Sequence, residues 1–257
     1  MKRRIIVLTE GMSNPHQGKT ARNLICYKPE EVVAVYDSIQ QGKYAEELLG
    51  FGKDVPVIGS FNEVNGANTL LIGVATPGGK IPREWKSIIM EAISRKMNVI
   101  SGLHDFISDD KELSAAAEKE GVQLIDIRKN GIKEVVHRKG INEKCLRIQT
   151  VGNDCSLGKM ITSMELNKAL VAAGYDSKFV ATGQTGILIE GDGIPIDGVV
   201  GDFINGAAEQ LVLKNQHHDI IIIEGQASLV HPRYSSVTLG LLHGSMPHGL
   251  IMCYEMG

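Results

Sequence analysis

The sequence predicts an α/β protein of two domains with mostly parallel sheets, and three observations predict it. Short aliphatic runs alternate with helix-like stretches almost from end to end, the pattern of repeated β-α units. Aromatic residues are only 5% of the chain, so Ile, Val and Leu dominate its apolar content, which favours strands buried on both faces over an antiparallel sandwich. At 257 residues the chain exceeds the common domain size, so one large or two modest domains are expected.

In chain order, the first half carries expected strands at 4–8, 31–36, 55–58, 69–75, 98–101 and 122–127, with helices at 19–26, 44–49, 83–96 and 111–120 between them. In the helix from Arg83, residues Trp85, Ile88, Ile89, Ala92 and Ile93 recur at spacings of three and four and share one face. Pro82 stands just ahead of it, a favoured start. Residues 128–144 are polar and basic, with Asn130-Gly131, Arg138, Lys139 and Gly140. They read as a solvated linker, and the boundary is placed inside it, giving domains 1–140 and 141–257. The second half restarts the alternation, with strands at 145–151, 177–181, 220–224 and 249–254 and a helix at 158–173. The sequence stops directly after that last strand, where a doubly wound domain continues into a covering helix; further C-terminal sequence is therefore expected in the whole protein.

Composition narrows the function classes. With 43% hydrophobic and 22% charged residues, the chain has the make-up of a soluble globular protein. A net charge of −3 supplies no field that would gather nucleic acid or an anionic membrane. Cys26, Cys145, Cys155 and Cys253 are scattered without a C-x-x-C pair, which suits a reducing cytosol rather than a disulfide framework or zinc site. The opening MKRRIIVLTE has the basic flank of a signal peptide, but its apolar run ends at Leu8 and reads as a first strand. No stretch approaches the ~18 apolar residues of a membrane helix. The expectation is a cytoplasmic protein with a small-molecule substrate, no nucleic acid or membrane partner, and a homo-oligomeric assembly.

The most informative segment runs from Leu146 to Thr162. A strand enters the loop Gly152, Asn153, Asp154, Cys155, Ser156, Leu157, Gly158, which ends in Lys159-Met160 where an apolar-periodic helix begins. Such a loop points backbone N–H groups inward, the helix N-terminus adds partial positive charge, and the lysine reaches a phosphate. Five residues, not four, separate the two glycines, and Met160 takes the place of the hydroxyl that would bind Mg²⁺. Methionine is no ligand for that hard ion, and Thr162 lies on another side of the helix. A loop that binds phosphate without hydrolysing a triphosphate is expected. The spacing of Gly152, Asp154, Gly158 and Lys159 resembles the loop of dethiobiotin synthetase, and the strand 220–223 ending in Glu224-Gly225 resembles the acidic strand of the same superfamily.

Other strand-end loops carry polar groups. Gly11 to Thr20 ends like a phosphate loop, but Ser13 replaces the glycine and Pro15 removes an N–H, so it reads as a capped turn. Asp37 ends the second strand without a G-x-G-x-x-G before it, a weak ribose signal. The Thr76-Pro-Gly-Gly-Lys80 loop offers a cation. His104-Asp105 is a candidate for acid–base work, since imidazole titrates near neutral pH, while Asp109 and Asp110 read as helix caps. After Glu224, His231 and Arg233 are placed to meet an anionic substrate.

Taken together, the strings Gly18-Lys19-Thr20-Ala21, Val35-Tyr36-Asp37-Ser38, Leu71 to Gly79, Ser101 to Phe106, Gly152 to Met160 and Glu224-Gly225-Gln226 resemble a family once described only as a conserved domain of unknown function. Some of its members are D-glutamate (D-amino acid) N-acetyltransferases. The resemblance implies an N-terminal Rossmann-like domain, a C-terminal P-loop domain, acetyl-CoA as co-substrate and a small (D-)amino acid as acceptor. Residues 152–160 would hold the CoA phosphates; Glu224 and His104 are candidate bases, with Asp154 as a further catalytic candidate. Lys80, Arg233 and His231 would pair with substrate carboxylates. Cys155 reads as a small packing residue rather than a nucleophile. The alternative is an ATP- and Mg²⁺-dependent ligase or kinase of the dethiobiotin-synthetase type; the missing hydroxyl after Lys159 speaks against it.

Overall fold

The computed structural model describes residues 2–232 and 234–255, so Arg233 lies outside the described residues. The chain divides into two compact units between Lys129 and Asn130.

The first unit contains β1 (Ile5–Leu8), α1 (Lys19–Tyr27), β2 (Val32–Tyr36), α2 (Ala45–Leu49), β3 (Val57–Ile58), β4 (Thr69–Ile72), α3 (Trp85–Ser94), β5 (Asn98–Ser101), α4 (Lys111–Glu120) and β6 (Leu124–Asp126). Its sheet has the order β3-β2-β1-β4-β5-β6 with every pairing parallel, the strand order of dinucleotide-binding folds. All four residues of β1 and of β4 are buried, as expected for strands covered on both faces. The stripe read from the sequence of α3 packs down: Trp85, Ile89, Ala92 and Ile93 join Ile6, Leu8, Leu70 and Ile72 in one core. Each such large apolar side chain contributes about 1.5–3 kcal/mol by leaving water. Asp110 caps α4, accepting from Glu112 N and Leu113 N.

The loop after β1 closes on itself. Asn14 Oδ1 accepts from Gln17 N at 3.0 Å, and Gly18 N donates to Asn14 O. Asp37 is fully buried, and its carboxylate is taken by the Ser13 hydroxyl and by Ile39 N. It therefore fastens this loop to the end of β2 instead of facing a ribose.

The second unit contains β7 (Leu146–Gly152), α5 (Lys159–Ala172), β8 (Ser177–Val180), α6 (Gln184–Glu190), α7 (Ile204–Asn215), β9 (Ile220–Ile223), α8 (Ser235–Ser245) and β10 (Gly249–Cys253). Its sheet runs β10-β7-β9-β8, again parallel throughout, and places β7, which leads into the phosphate-type loop, between β10 and β9.

The segment after Lys129 is not a free solvated tether. Asn130 Nδ2 donates to Gly198 O, Asn142 N donates to Gln216 Oε1, and the carboxylate of Glu209, 3% exposed on α7, accepts from His137 N and Arg138 N. A buried carboxylate must be hydrogen-bonded, and these two backbone groups serve that need. The segment thus belongs to the second unit, and the division falls ahead of the boundary placed at 140/141. Among the described residues no helix is long and apolar enough to cross a membrane.

Candidate functional site

β7 delivers Gly152 into the loop, and the loop returns to the first turn of α5. Gly152 sits in a tight place: a Cβ there would meet Cys253 O at 3.0 Å and Lys159 Nζ at 3.2 Å, so a side chain would push the neighbouring strand or the lysine aside. Ser156 (φ 62°) and Gly158 (φ 87°) take left-handed backbone, which turns the chain so that it wraps the helix start. Asn153, Cys155 and Leu157 are half-buried, Asp154 and Ser156 exposed. Lys159, the first helical residue, is only 6% exposed, and its Nζ bends back to donate to Asp154 O at 2.7 Å. Burying an ammonium costs free energy unless it is paired; here a loop carbonyl supplies part of that pairing, and the ammonium lies across the loop. Cys155 N donates to Asp154 Oδ1 at 2.7 Å. The side-chain Oδ1 of Asn153 is buried without a hydrogen-bond partner among the described residues, the kind of orphan group a ligand satisfies.

Met160 follows Lys159, and the nearby hydroxyls are engaged within the protein. Thr162 Oγ1 accepts from Cys253 Sγ, and Ser163 Oγ lies 2.9 Å from Thr150 Oγ1. The donor set around the loop thus suits an anion better than a hard cation. Among the described residues no group of three or more His, Cys, Asp or Glu is placed to hold a metal ion.

The end of β9 is sewn to this loop. Thr150 Oγ1 accepts from Gly225 N at 2.8 Å, Leu229 N donates to Gly152 O at 2.8 Å, and Ser228 Oγ donates to Asn153 O at 2.7 Å. His231 N in turn donates to Ser228 Oγ, and the His231 ring stacks on Tyr234 with centroids 5.3 Å apart. The structure therefore brings His231 and the loop 152–159 into one framework. Thr150 and Ser228 were not singled out from the sequence; a threonine inside a strand and a serine in a loop carry no spacing signal.

Glu224, the acidic residue at the end of β9, turns toward β8. Its Oε2 accepts from Thr182 N at 2.8 Å and Gly183 N at 2.9 Å, and its backbone O accepts from Thr182 Oγ1. The residue is 3% exposed. Burial pushes its carboxyl up to about 7, opposed by the two backbone N–H groups and the Gln226 side chain. It holds a proton part of the time near neutral pH.

Lys80 and His104 belong to the first unit, so the candidate residues do not form one set within a single unit. Lys80 is exposed, as is His104 at the end of β5. The backbone N–H groups of His104 and Asp105 both donate to Gly79 O at 3.0 Å, and the His104 ring lies against the Gly79 α-carbon, where a Cβ would come 2.5 Å from Cδ2.

Comparison with known proteins matches both halves. Residues 129–257 fit the domain of unknown function DUF1611_C, described as a P-loop domain, and residues 38–130 fit DUF1611_N, described as a Rossmann-like domain. A D-glutamate N-acetyltransferase of Tritonibacter scottomollicae is 44% identical over 190 residues, which is 74% of this chain and 57% of that protein. Another from a Pseudoalteromonas species is 46% identical over 191 residues, with the same shares. The crystal structure of a DUF1611 family protein from Anabaena variabilis has a TM-score of 0.90 at 36% identity, covering 98% of this chain and 74% of that one. The matched part of this chain thus spans 57% of the length of these curated relatives.

Proposed function

This chain belongs to the DUF1611 family, and on that premise we propose that it is part of a cytoplasmic N-acetyltransferase that moves an acetyl group from acetyl-CoA to the amine of a small amino acid such as D-glutamate. The names of the two curated relatives support the acceptor and the reaction type. The observation that carries the reading is the loop itself, which wraps the start of α5 with Lys159 Nζ folded back to Asp154 O and with Met160, not a hydroxyl, next in line. A pyrophosphate or a 3′-phosphate asks for N–H donors and an ammonium and needs no metal to be held. Residues 152–160 would take the CoA phosphates, with Asn153 offering its orphan Oδ1 to a donor on the ligand.

Acetyl-CoA supplies an activated thioester carbonyl. The acceptor must lose its ammonium proton before its nitrogen attacks the carbonyl carbon; a C–N bond forms, the C–S bond breaks, and the departing thiolate of CoA takes the second proton from the new amide nitrogen. We assign the proton to Glu224, whose carboxyl titrates at about 7, close to the pH at which a base is most effective. Both backbone bonds, from Thr182 N and Gly183 N, end on Oε2, which leaves Oε1 to receive the proton. His231, held beside the loop by Ser228, pairs with a substrate carboxylate.

The test is to incubate the purified full-length protein with D-glutamate and acetyl-CoA and follow free thiol without ATP. Thiol release that needs D-glutamate supports the assignment, with Lys159→Ala raising KM for acetyl-CoA by about tenfold or more, the size of one lost charge-assisted contact. ADP formation from ATP and a small carboxylic acid, with no thiol release, overturns it in favour of a ligase or kinase.

A further inference from the structure

The first unit holds a cavity of about 720 Å³, within the size range of small-molecule sites. It opens at the carboxyl ends of β4 and β5, between α3 and α4. Its floor is apolar, made by Ile89, Ile107 and Leu113, all at most 3% exposed, with Phe106 beside them. The rim is charged, and which of its groups are already engaged carries the inference.

Each carboxylate on the rim already has a partner. Asp105 Oδ2 accepts from Ile81 N at 3.1 Å, and Asp109 pairs with Lys129 at 2.6 Å. Asp110 pairs with Lys86 at 2.7 Å while it caps α4. The guanidinium of Arg83 and the imidazole of His104, which also line the cavity, have no hydrogen-bond or ionic partner among the described residues. The His104 main chain is tied to Gly79 O at 3.0 Å, which holds the ring at the rim. An apolar floor with a rim whose unused groups are a fork of N–H donors and an imidazole matches a ligand with a compact anion at one end and an apolar body at the other.

We propose that this cavity binds a small amphiphilic monocarboxylate, with the carboxylate on Arg83 and His104 and the aliphatic body over Ile89, Ile107 and Leu113. The site lies within the first unit and does not rest on the acyl-transfer reading of the phosphate loop. Free glutamate, charged at both ends, would set one of its charged groups against the apolar floor of Ile89, Ile107 and Leu113.

The single tryptophan of the chain, Trp85, adjoins Lys86 on α3 and is 1% exposed, so its emission reports on the wall of this cavity. Octanoate, kept below its micellar concentration, should change Trp85 fluorescence in a saturable way. Octanol and D-glutamate should bind at least tenfold more weakly, as should octanoate to Arg83→Ala, whose exposed side chain can be removed without touching the core. Lys159→Ala should respond to octanoate like the parent protein. No saturable response, equal binding of octanol or D-glutamate, or an unchanged response in Arg83→Ala would each overturn the proposal.

Discussion

Thr150 and Gly225 meet where β7 and β9 reach the phosphate-type loop: the Gly225 N–H donates to Thr150 Oγ1 at 2.8 Å, and a Cβ on Gly225 would press on Thr150 O well inside 3.0 Å. The same hydroxyl lies 2.9 Å from Ser163 Oγ and also donates to Lys159 O. One threonine therefore ties together the strand that carries the loop, the strand that carries Glu224, and the helix whose first residue is Lys159.

Replacing Gly225 tests that junction. Gly225→Ala forces β9 away from β7 at the point of closest approach, and overpacking of this kind costs about 1–3 kcal/mol or more. The expected outcome is a Tm lowered by several degrees together with loss of the CoA binding proposed for the loop. Thr150→Val removes the acceptor and leaves a buried N–H unpaired, at about 1–3 kcal/mol, whereas Thr150→Ser should stay near the parent in both thermal melts and binding. A Gly225→Ala protein with unchanged Tm and affinity would show that the strands have slack there.

Glu224 gives a pH signature. Burial holds its carboxyl up at about 7 in the folded protein, against an ordinary value of 4.5, so between those limits the native state binds more protons than the unfolded chain. The contribution of Glu224 to stability is therefore greatest below about pH 4.5, falls as pH rises through the window, and levels off above about 7, with a total change of at most roughly 3 kcal/mol. Glu224→Gln carries no such charge. Stability measured by chemical denaturation across that range should show the parent losing ground to the variant as pH increases, and the acidic limb of the parent's kcat/KM profile should disappear in the variant. A constant difference between the two proteins from pH 5 to 8 would mean that Glu224 is ionised throughout.

Most of the elements were legible in the sequence because their signals are local. The aliphatic runs of β1, β4 and β9 announce buried strands, the spacing of Trp85, Ile89 and Ile93 announces a helix face, and Gly152 to Lys159 announces the strand-loop-helix junction. Helices α6, α7 and α8 were not expected. α8 contains Gly240 and Gly244, residues that weaken an isolated helix by about 1 kcal/mol each. In the folded unit they are required, because a Cβ at either position would collide with Ile204 or Asn205 of α7. The direction of Glu224 was equally hidden. Its place at a strand end is written in the sequence, but its turn toward Thr182 and Gly183 depends on β8 lying next to β9. The segment 130–144 read as a tether because it is polar, and the groups that anchor it, Glu209 and Gln216, lie far along the chain.

That anchoring can be tested directly. Glu209 is buried on α7, and its carboxylate is the acceptor for His137 N and Arg138 N. In Glu209→Ala both backbone donors lose their partner, so the stretch carrying Arg138 and Lys139 should detach, at a cost of about 1–3 kcal/mol. Trypsin should then cut after Arg138 or Lys139 many times faster than in the parent under native conditions, because the rate of cleavage follows the population of the opened form. Glu209→Gln keeps one acceptor oxygen at the same reach and should give an intermediate rate. Equal cleavage of parent and Glu209→Ala would mean that the other bonds of the segment, from Asn130 to Gly198 and from Asn142 to Gln216, hold it without Glu209.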